Sequence, residues 1–391
     1  MNPVTAVTQP DPYPYYAELV AQRPGFFDDG LTAVVLSSAE LVRSALAEPL
    51  LRVRPPAEPV PAGIAGTAAG AVFGQLVRMT DGPLQQRLKN VVCEALGSVD
   101  QARVHQSAGR IADAILARGG SLDEMLFGLP AQVVAGLCGL TDGADVEAAR
   151  LIGDFVLCLP ATATAEQQAA AAAAAERLQE LMAGRPVEDS PSLLAELIRA
   201  ARRADWPDTA PLLANAIGFL SQTYDATAAL IGNTLVALAR EGVPADGLAA
   251  FAREVARHDS PVHNTRRFAA EPVTIGDQQV QQGQSVLLLL AAANRDPAVN
   301  PDPAEFRPGR RSPTLFTFGA AGHRCPGEQL ALGITTGAVS RLLAAGLDPA
   351  VLRHTGYRPS GNIRCPQFDE QHQPIPTTRR SSAASQAGES R

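Results

Sequence analysis

The chain has a single lysine. Lys89 stands alone among 391 residues, so arginine carries nearly all of the 33 positive charges, which face 40 acidic ones for a net charge of -7. A lysine-rich footprint for nucleic acid or a membrane surface is therefore missing, and neither partner is expected. Paired cysteines are missing too. Cys93, Cys138, Cys158, Cys325 and Cys365 are odd in number and never spaced C-x-x-C, which argues against a disulfide framework and a zinc site. Every long apolar run is broken by charge or proline short of a membrane span, and the opening "MNPVTAVTQPDPYPYY" has neither a basic n-region nor an apolar h-region. A soluble, cytoplasmic protein is the expectation. No internal repeat is present.

What is there is mostly helical. At 46% hydrophobic the chain can build one large core or two to three domains. From Asp11 to about Gly242, segments such as "SAELVRSALAE" and "SAGRIADAILARGG" carry apolar residues at i, i+3, i+4. Cys93, Cys138 and Cys158, flanked by Val, Leu or Ala, read as inert core thiols. Arg54 to Gly74 is rich in Pro, Gly and Ala and reads as a long loop, a candidate lid. The alanine run from Ala169 reads as a surface helix. From Asp208 and Thr209, with Pro211 in the first turn, to Gly242, one helix of about thirty residues is expected, ~45 Å long. Strands follow in "EPVTIGDQQVQQGQSVLLLL". The tail from Thr377 is polar and reads as disordered.

Two features carry chemistry. "FTFGAAGHRCPGEQLALG" sets Cys325 in a Gly-rich loop before a helix, where backbone N–H groups favour an anion, so a depressed thiol pKa is expected. Such a thiolate could act as a nucleophile with His323, as in a cysteine-dependent hydrolase or transferase, or as a lone ligand suited to haem iron. The second feature is "SQTYDATAALIGN", in the middle of the expected long helix. It places Gln222, Thr223, Asp225 and Thr227 where a core helix carries Leu or Ala. Each needs a partner, because an unpartnered buried polar group costs about 1–3 kcal/mol. Either water, substrate and bound oxygen supply those partners, or backbone carbonyls do.

The cysteine stretch resembles that of the cytochrome P-450 family, F-G-x-G-x-H-x-C-x-G. Phe318, Gly319, His323, Cys325 and Gly327 match, and Ala321 stands where the family usually has Gly. "EVAR" resembles the family's E-x-x-R, and "NPDPAEFRPGR" the segment that follows it. The resemblance implies a mainly α fold with a smaller β portion, with haem b (heme, iron protoporphyrin IX) between the long central helix and the cysteine-loop helix and Cys325 as axial thiolate. Residues 1–376 would be one haem-thiolate domain and 377–391 its disordered tail. Glu254, Arg257 and Arg310 would form a structural network. Arg267, His323, Gln85 and Lys89, the last two from "DGPLQQRLK", would meet the haem propionates, the alternative for Lys89 being to solvate a surface helix. On the long helix Asp225 keeps the family's acid, Ala226 replaces its alcohol and Thr227 keeps the next hydroxyl. Gln222 and Thr223 stand where the family has Ala and Gly.

The implied activity is oxidation of a small organic secondary metabolite with dioxygen by a monomeric enzyme. Two electrons would come from a ferredoxin and its reductase, because no segment resembles a flavin or iron–sulfur module. Two alternatives are radical coupling of aromatic groups without oxygen insertion and a catalytically silent haem-binding protein. Proton delivery would move from the missing alcohol to Thr223, Gln222, a water or a substrate hydroxyl. Val72, Phe73, Phe219, His263, Asn264 and Phe368 are the expected substrate contacts. Arg307, Arg311 and Arg324 are candidates for an acidic partner's dock.

Overall fold

The computed structural model of the chain describes residues 1–160, 162–185, 190–206 and 208–369; the tail expected from Thr377 lies outside them. The fold is mainly helical with a small β portion, as expected. Its axis is the helix Ala210–Glu241, 32 residues and about 48 Å long at 1.5 Å per residue. Local chemistry sets both ends. Asp208 Oδ1 accepts from the Ala210 amide at 2.9 Å, Pro211 occupies the first turn, and Gly242 stops the helix at φ 84°, a conformation that side chains disfavour. The apolar residues Leu212, Ile217, Leu220, Leu230, Ile231 and Leu235 are all buried. Each contributes about 1.5–3 kcal/mol relative to exposure, as an upper figure.

Around this axis pack the helices Leu129–Leu137, Ala144–Val156 and Glu328–Ala344. The last, which follows the cysteine loop, lies against Gln101–Ala117. Their approach is close because Gly337 has no side chain: a Cβ there would stand 2.6 Å from the His105 carbonyl oxygen.

The strands are short. In chain order they are β1 (Gly25–Asp28), β2 (Ala33–Leu36), β3 (Leu51–Arg52), β4 (Thr265–Ala269), β5 (Val273–Ile275), β6 (Gln278–Val280), β7 (Ser285–Leu288), β8 (His354–Tyr357) and β9 (Pro366–Phe368). One sheet has the order β1-β2-β7-β4-β3, with β2 and β7 parallel and its other pairs antiparallel. The hairpin β5–β6 turns at Gly276 and Asp277, and β8–β9 forms a second hairpin.

Two readings of the sequence need correction. β1 to β3 lie inside the stretch read as helical, because their apolar runs of two to four residues fit either structure. Arg54 to Gly74 is not all loop: Ala68–Gly74 is a helix capped by the Thr67 hydroxyl. Its small residues let it dock tightly, and a Cβ at Gly70 would stand 2.1 Å from the Ile64 carbonyl. No helix among the described residues is long and apolar enough to cross a membrane.

Candidate active site

A cavity of about 1090 Å³ opens between the long helix and the cysteine loop, larger than the ~300–1,000 Å³ usual for a single small ligand. Cys325 is on its wall. The loop is shaped by the Cys325 amide, which donates to Phe318 O at 2.7 Å, and by Gly319 at φ 68°. A Cβ at Gly327 would stand 3.7 Å from Cys325 Sγ, an ordinary contact, so the backbone there lies beside the sulfur. Phe318, Gly319 and Gly327 all border the cavity.

The thiol departs from expectation. Burial raises the Cys325 pKa above the ordinary range, and the Gly327 amide and the charges of Lys89 and Arg78 oppose that without overcoming it. The loop amide and the two cations leave burial dominant; a metal cation on the sulfur would reverse the balance.

One end of the cavity is cationic. Arg267 borders it, and burial brings its guanidinium down to about 10. Its hydrogen bonds go to Thr265 Oγ1 at 3.3 Å and Arg266 O at 2.8 Å, not to a carboxylate. Arg78, from the turn Val77–Met79, borders the same cavity. Burial lowers it and the charge of Cys325 opposes that. Arg78 has no hydrogen-bond or ion-pair partner among the described residues. The nearby carboxylate Asp81 is already engaged, accepting from Val53 N at 3.0 Å and bonding His323 Nε2 at 3.0 Å. Burial would raise Asp81, but those bonds hold it below the usual carboxylate range.

Two guanidiniums, Arg78 and Arg267, bordering the cavity without a carboxylate paired to either, and the thiol of Cys325 on the loop wall, fit a group that carries two carboxylates and a metal seeking one sulfur. The residues therefore fit haem. Arg78 was missed in the sequence; its signal is a lone Arg inside the apolar turn "LVRM" just before "DGPLQQRLK". Lys89 borders the cavity but donates Nζ–H to Arg324 O at 2.5 Å. Gln85 does not border it and instead donates to Gly322 O at 3.2 Å. Both tie their helix, Gly82–Gly97, to the cysteine loop.

Glu254, Arg257 and Arg310 meet in a buried network. Arg257 forks onto the carboxylate at 2.7 and 2.9 Å, and Arg310 Nε reaches it at 3.0 Å. Burial would raise the Glu254 carboxyl, but the hydrogen bonds from Arg257 and the Arg307 amide hold it low. The two arginines also bond Pro301, Asp302, Pro303 and Glu305 carbonyls, which fixes the Pro-rich stretch leading to the cysteine loop.

On the long helix, Phe219, Gln222, Thr223, Ala226, Thr227 and Leu230 border the cavity. They follow i, i+3, i+4, i+7, i+8, i+11, one face of a helix. Asp225 falls off that face. It is turned toward Arg358, and burial raises its carboxyl while the Arg358 charge opposes. The spacing alone could have shown this. Tyr224 also faces away, its ring 5.3 Å from that of Phe127. Gln222 and Thr223 bond the carbonyls of Gly218 and Phe219 in their own helix. Thr227 has no hydrogen bond among the described residues and is not sealed off from the cavity.

Of the other expected substrate contacts, only Asn264 borders the cavity. Val72 and Phe73 turn into the core from the helix Ala68–Gly74. His263 is fully buried, its Nδ1 2.9 Å from the Tyr16 hydroxyl, because Val262 and Asn264 face the cavity and extended backbone sends the residue between them the other way. Phe368 packs near His354 instead. The roof comes from Arg54, Ala62, Gly63 and Ile64, and a further wall from Cys158, Leu159 and Gln168. Cys158, read as inert core, thus borders the cavity, and Cys93 is exposed. Arg324 and Arg307, candidates for docking, pair with Glu328 and with Asp302.

Comparison with known proteins follows the same lines. The sequence model of the cytochrome P450 family matches residues 248–344. The chain is 32% identical over 286 residues to cytochrome P450 107B1 of Saccharopolyspora erythraea, covering 68% of each. It is 28% identical over 347 residues to the cytochrome P450 monooxygenase PikC of Streptomyces venezuelae, covering 82% of this chain and 80% of that one. The crystal structure of CalO2 superposes with a TM-score of 0.78 at 24% identity, over 94% of this chain and 97% of that one.

Proposed function

Because the chain belongs to the cytochrome P450 family, we propose that it is a haem-thiolate monooxygenase that oxidises a small organic secondary metabolite, with Cys325 as the axial ligand of haem b. One observation carries the reading: Cys325 is the single thiol on the loop wall of a cavity whose opposite wall is the polar face of the long helix. Haem bound there supplies the redox chemistry, in which two electrons and two protons send one atom of dioxygen to the substrate and the other to water.

The residues divide the remaining work. Arg78 and Arg267 hold the two carboxylates of the group, and His323 is oriented beside them by Asp81. Gly319, at φ 68° and close against the His323 carbonyl, shapes the loop that presents the sulfur. Glu254, Arg257 and Arg310 brace the approach to its loop. Thr223 is a poor source of protons, because its hydroxyl is committed to Phe219 O at 2.6 Å. Asp225 does not reach the cavity, which leaves Thr227 as the hydroxyl of the long helix free to hold a proton there. Phe219, Leu230 and Leu290 give the cavity apolar wall for an organic substrate. Electrons come from a ferredoxin and its reductase.

A second reading draws on Ala226, which has no hydroxyl at the family's alcohol position. Radical coupling removes one hydrogen from each of two aromatic partners, and both oxygen atoms leave as water after the same two electrons and two protons. Reconstitution with a surrogate ferredoxin and labelled dioxygen tests both. Label in the product supports insertion, and a label-free dimer supports coupling. NADPH consumption that no member of a natural-product panel stimulates would leave only a silent haem-binding protein.

A further inference from the structure

Three polar side chains on the cavity wall, Gln222, Thr223 and Asn264, are oriented in one sense. Gln222 donates Nε2–H to Gly218 O at 2.9 Å, Thr223 donates its hydroxyl hydrogen to Phe219 O at 2.6 Å, and Asn264 donates Nδ2–H to Gly361 O at 2.8 Å. A backbone carbonyl only accepts, so neither amide can be turned round without placing oxygen against oxygen. The atoms left over are Gln222 Oε1, Asn264 Oδ1 and the lone pairs of Thr223 Oγ1. None has a protein donor among the described residues, and neither amide oxygen is sealed inside the protein. All three residues border the cavity.

The arrangement is built in. Gly218 makes room for the Gln222 amide to fold back on its helix: a Cβ there would stand 3.1 Å from Nε2 and 2.6 Å from Leu76 Cδ2. Asn264 is held from another element, on the approach to β4. The cavity wall therefore carries acceptors on two separate elements.

We propose that the substrate presents N–H or O–H groups to these oxygens, and that Gln222, Thr223 and Asn264 select for a hydrogen-bond donor. A ligand without donors would strip water from three acceptors and return nothing, and sites built around hydrogen bonds reject such analogues strongly. The inference rests on the reading of this cavity as a haem-bearing substrate site.

The test uses haem-loaded protein and phenylimidazoles whose ring carries hydroxyl, methyl or cyano at the meta or para position. The imidazole anchors each to the iron, and difference spectra give its affinity. The hydroxyl member should bind at least ~fivefold tighter than the methyl member at one ring position, about one hydrogen bond's worth, with cyano no tighter than methyl. In the double variant Gln222→Leu/Asn264→Leu the hydroxyl-to-methyl ratio should fall toward unity; taking the ratio within each protein cancels general changes in affinity. Should that variant not hold haem, the near-isosteric Thr223→Val serves, and its ratio must also fall. Methyl or cyano equalling hydroxyl at both positions, or a ratio unchanged in the variants, overturns the proposal. If the protein takes up no haem, the haem reading has failed and this inference with it.

Discussion

Replacing Glu254 by Gln removes one negative charge from a pocket holding two guanidiniums while keeping the side chain's shape. Oε1 accepts from Arg257 Nη2 at 2.7 Å, the Arg307 amide at 2.9 Å and Arg310 Nε at 3.0 Å, whereas Oε2 accepts only from Arg257 Nε at 2.9 Å. An amide has one oxygen. Gln will seat it at the three-donor position and turn its NH2 against Arg257 Nε. Arg257, fully buried, then keeps carbonyl contacts but loses its carboxylate. Removing one partner of a buried pair costs about 3–5 kcal/mol, and the surviving bonds to Pro303 and Glu305 carbonyls place this variant near the lower end. Urea unfolding of the haem-loaded protein measures it. The Glu254 carboxyl is held low in the fold, so its stabilisation is complete above about pH 4.3 and fades as pH falls through the lower folded value. The variant should lose that part of the acid dependence. A loss under about 1 kcal/mol, the size of an exposed ion pair, would refute the reasoning.

Other perturbations give smaller or more local effects. Ala321 is at φ 52° in the cysteine loop, where a side chain is strained by about 1–2 kcal/mol and glycine gives back ~0.5–1 kcal/mol through the unfolded chain; Ala321→Gly should raise stability by about 0.5–1 kcal/mol, and an unchanged or lowered melting temperature would count against it. His258 and His263 are depressed to about 4 and about 3, chiefly by burial. Their stabilisation is whole above about pH 6.5 and is lost as pH falls toward those values, at up to ~1.4 kcal/mol per pH unit for each group. A urea midpoint that stays flat across that window would contradict their burial as neutral rings. Arg358→Ala should push the Asp225 carboxyl further up, since the Arg358 charge is what opposes burial there. Infrared titration of the acid's carbonyl band, assigned by its loss in Asp225→Asn, reads the shift, and no movement would show that the two groups do not interact.

Parts of this molecule could be read from local chemistry, because local chemistry decides them. The ends of the long helix follow from Asp208, Pro211 and Gly242, and the cysteine loop from a dense run of glycines around Cys325. The short strands β1 to β3 could not be read, because runs such as "AVVL" take their conformation from sheet partners far along the chain, here β7 and β4. Ala68–Gly74 hid as a helix because its residues are small, and what they pack against is not local. The side facing the cavity was partly legible. Helical spacing from Phe219 to Leu230 separates Asp225 from its neighbours, and extended spacing separates His263 from Asn264. Arg78 was hardest to see, since an arginine without a partner declares itself only once the cavity around it is known.

Thiolate ligation by Cys325 is the point on which everything else depends, and the carbon monoxide difference spectrum of the reduced protein measures it most directly. Wild type should show the strongly red-shifted Soret band of a thiolate-ligated haem, and Cys325→His should bind haem without that shift. An unshifted band in wild type, or a shifted band that survives Cys325→His, would contradict the assignment.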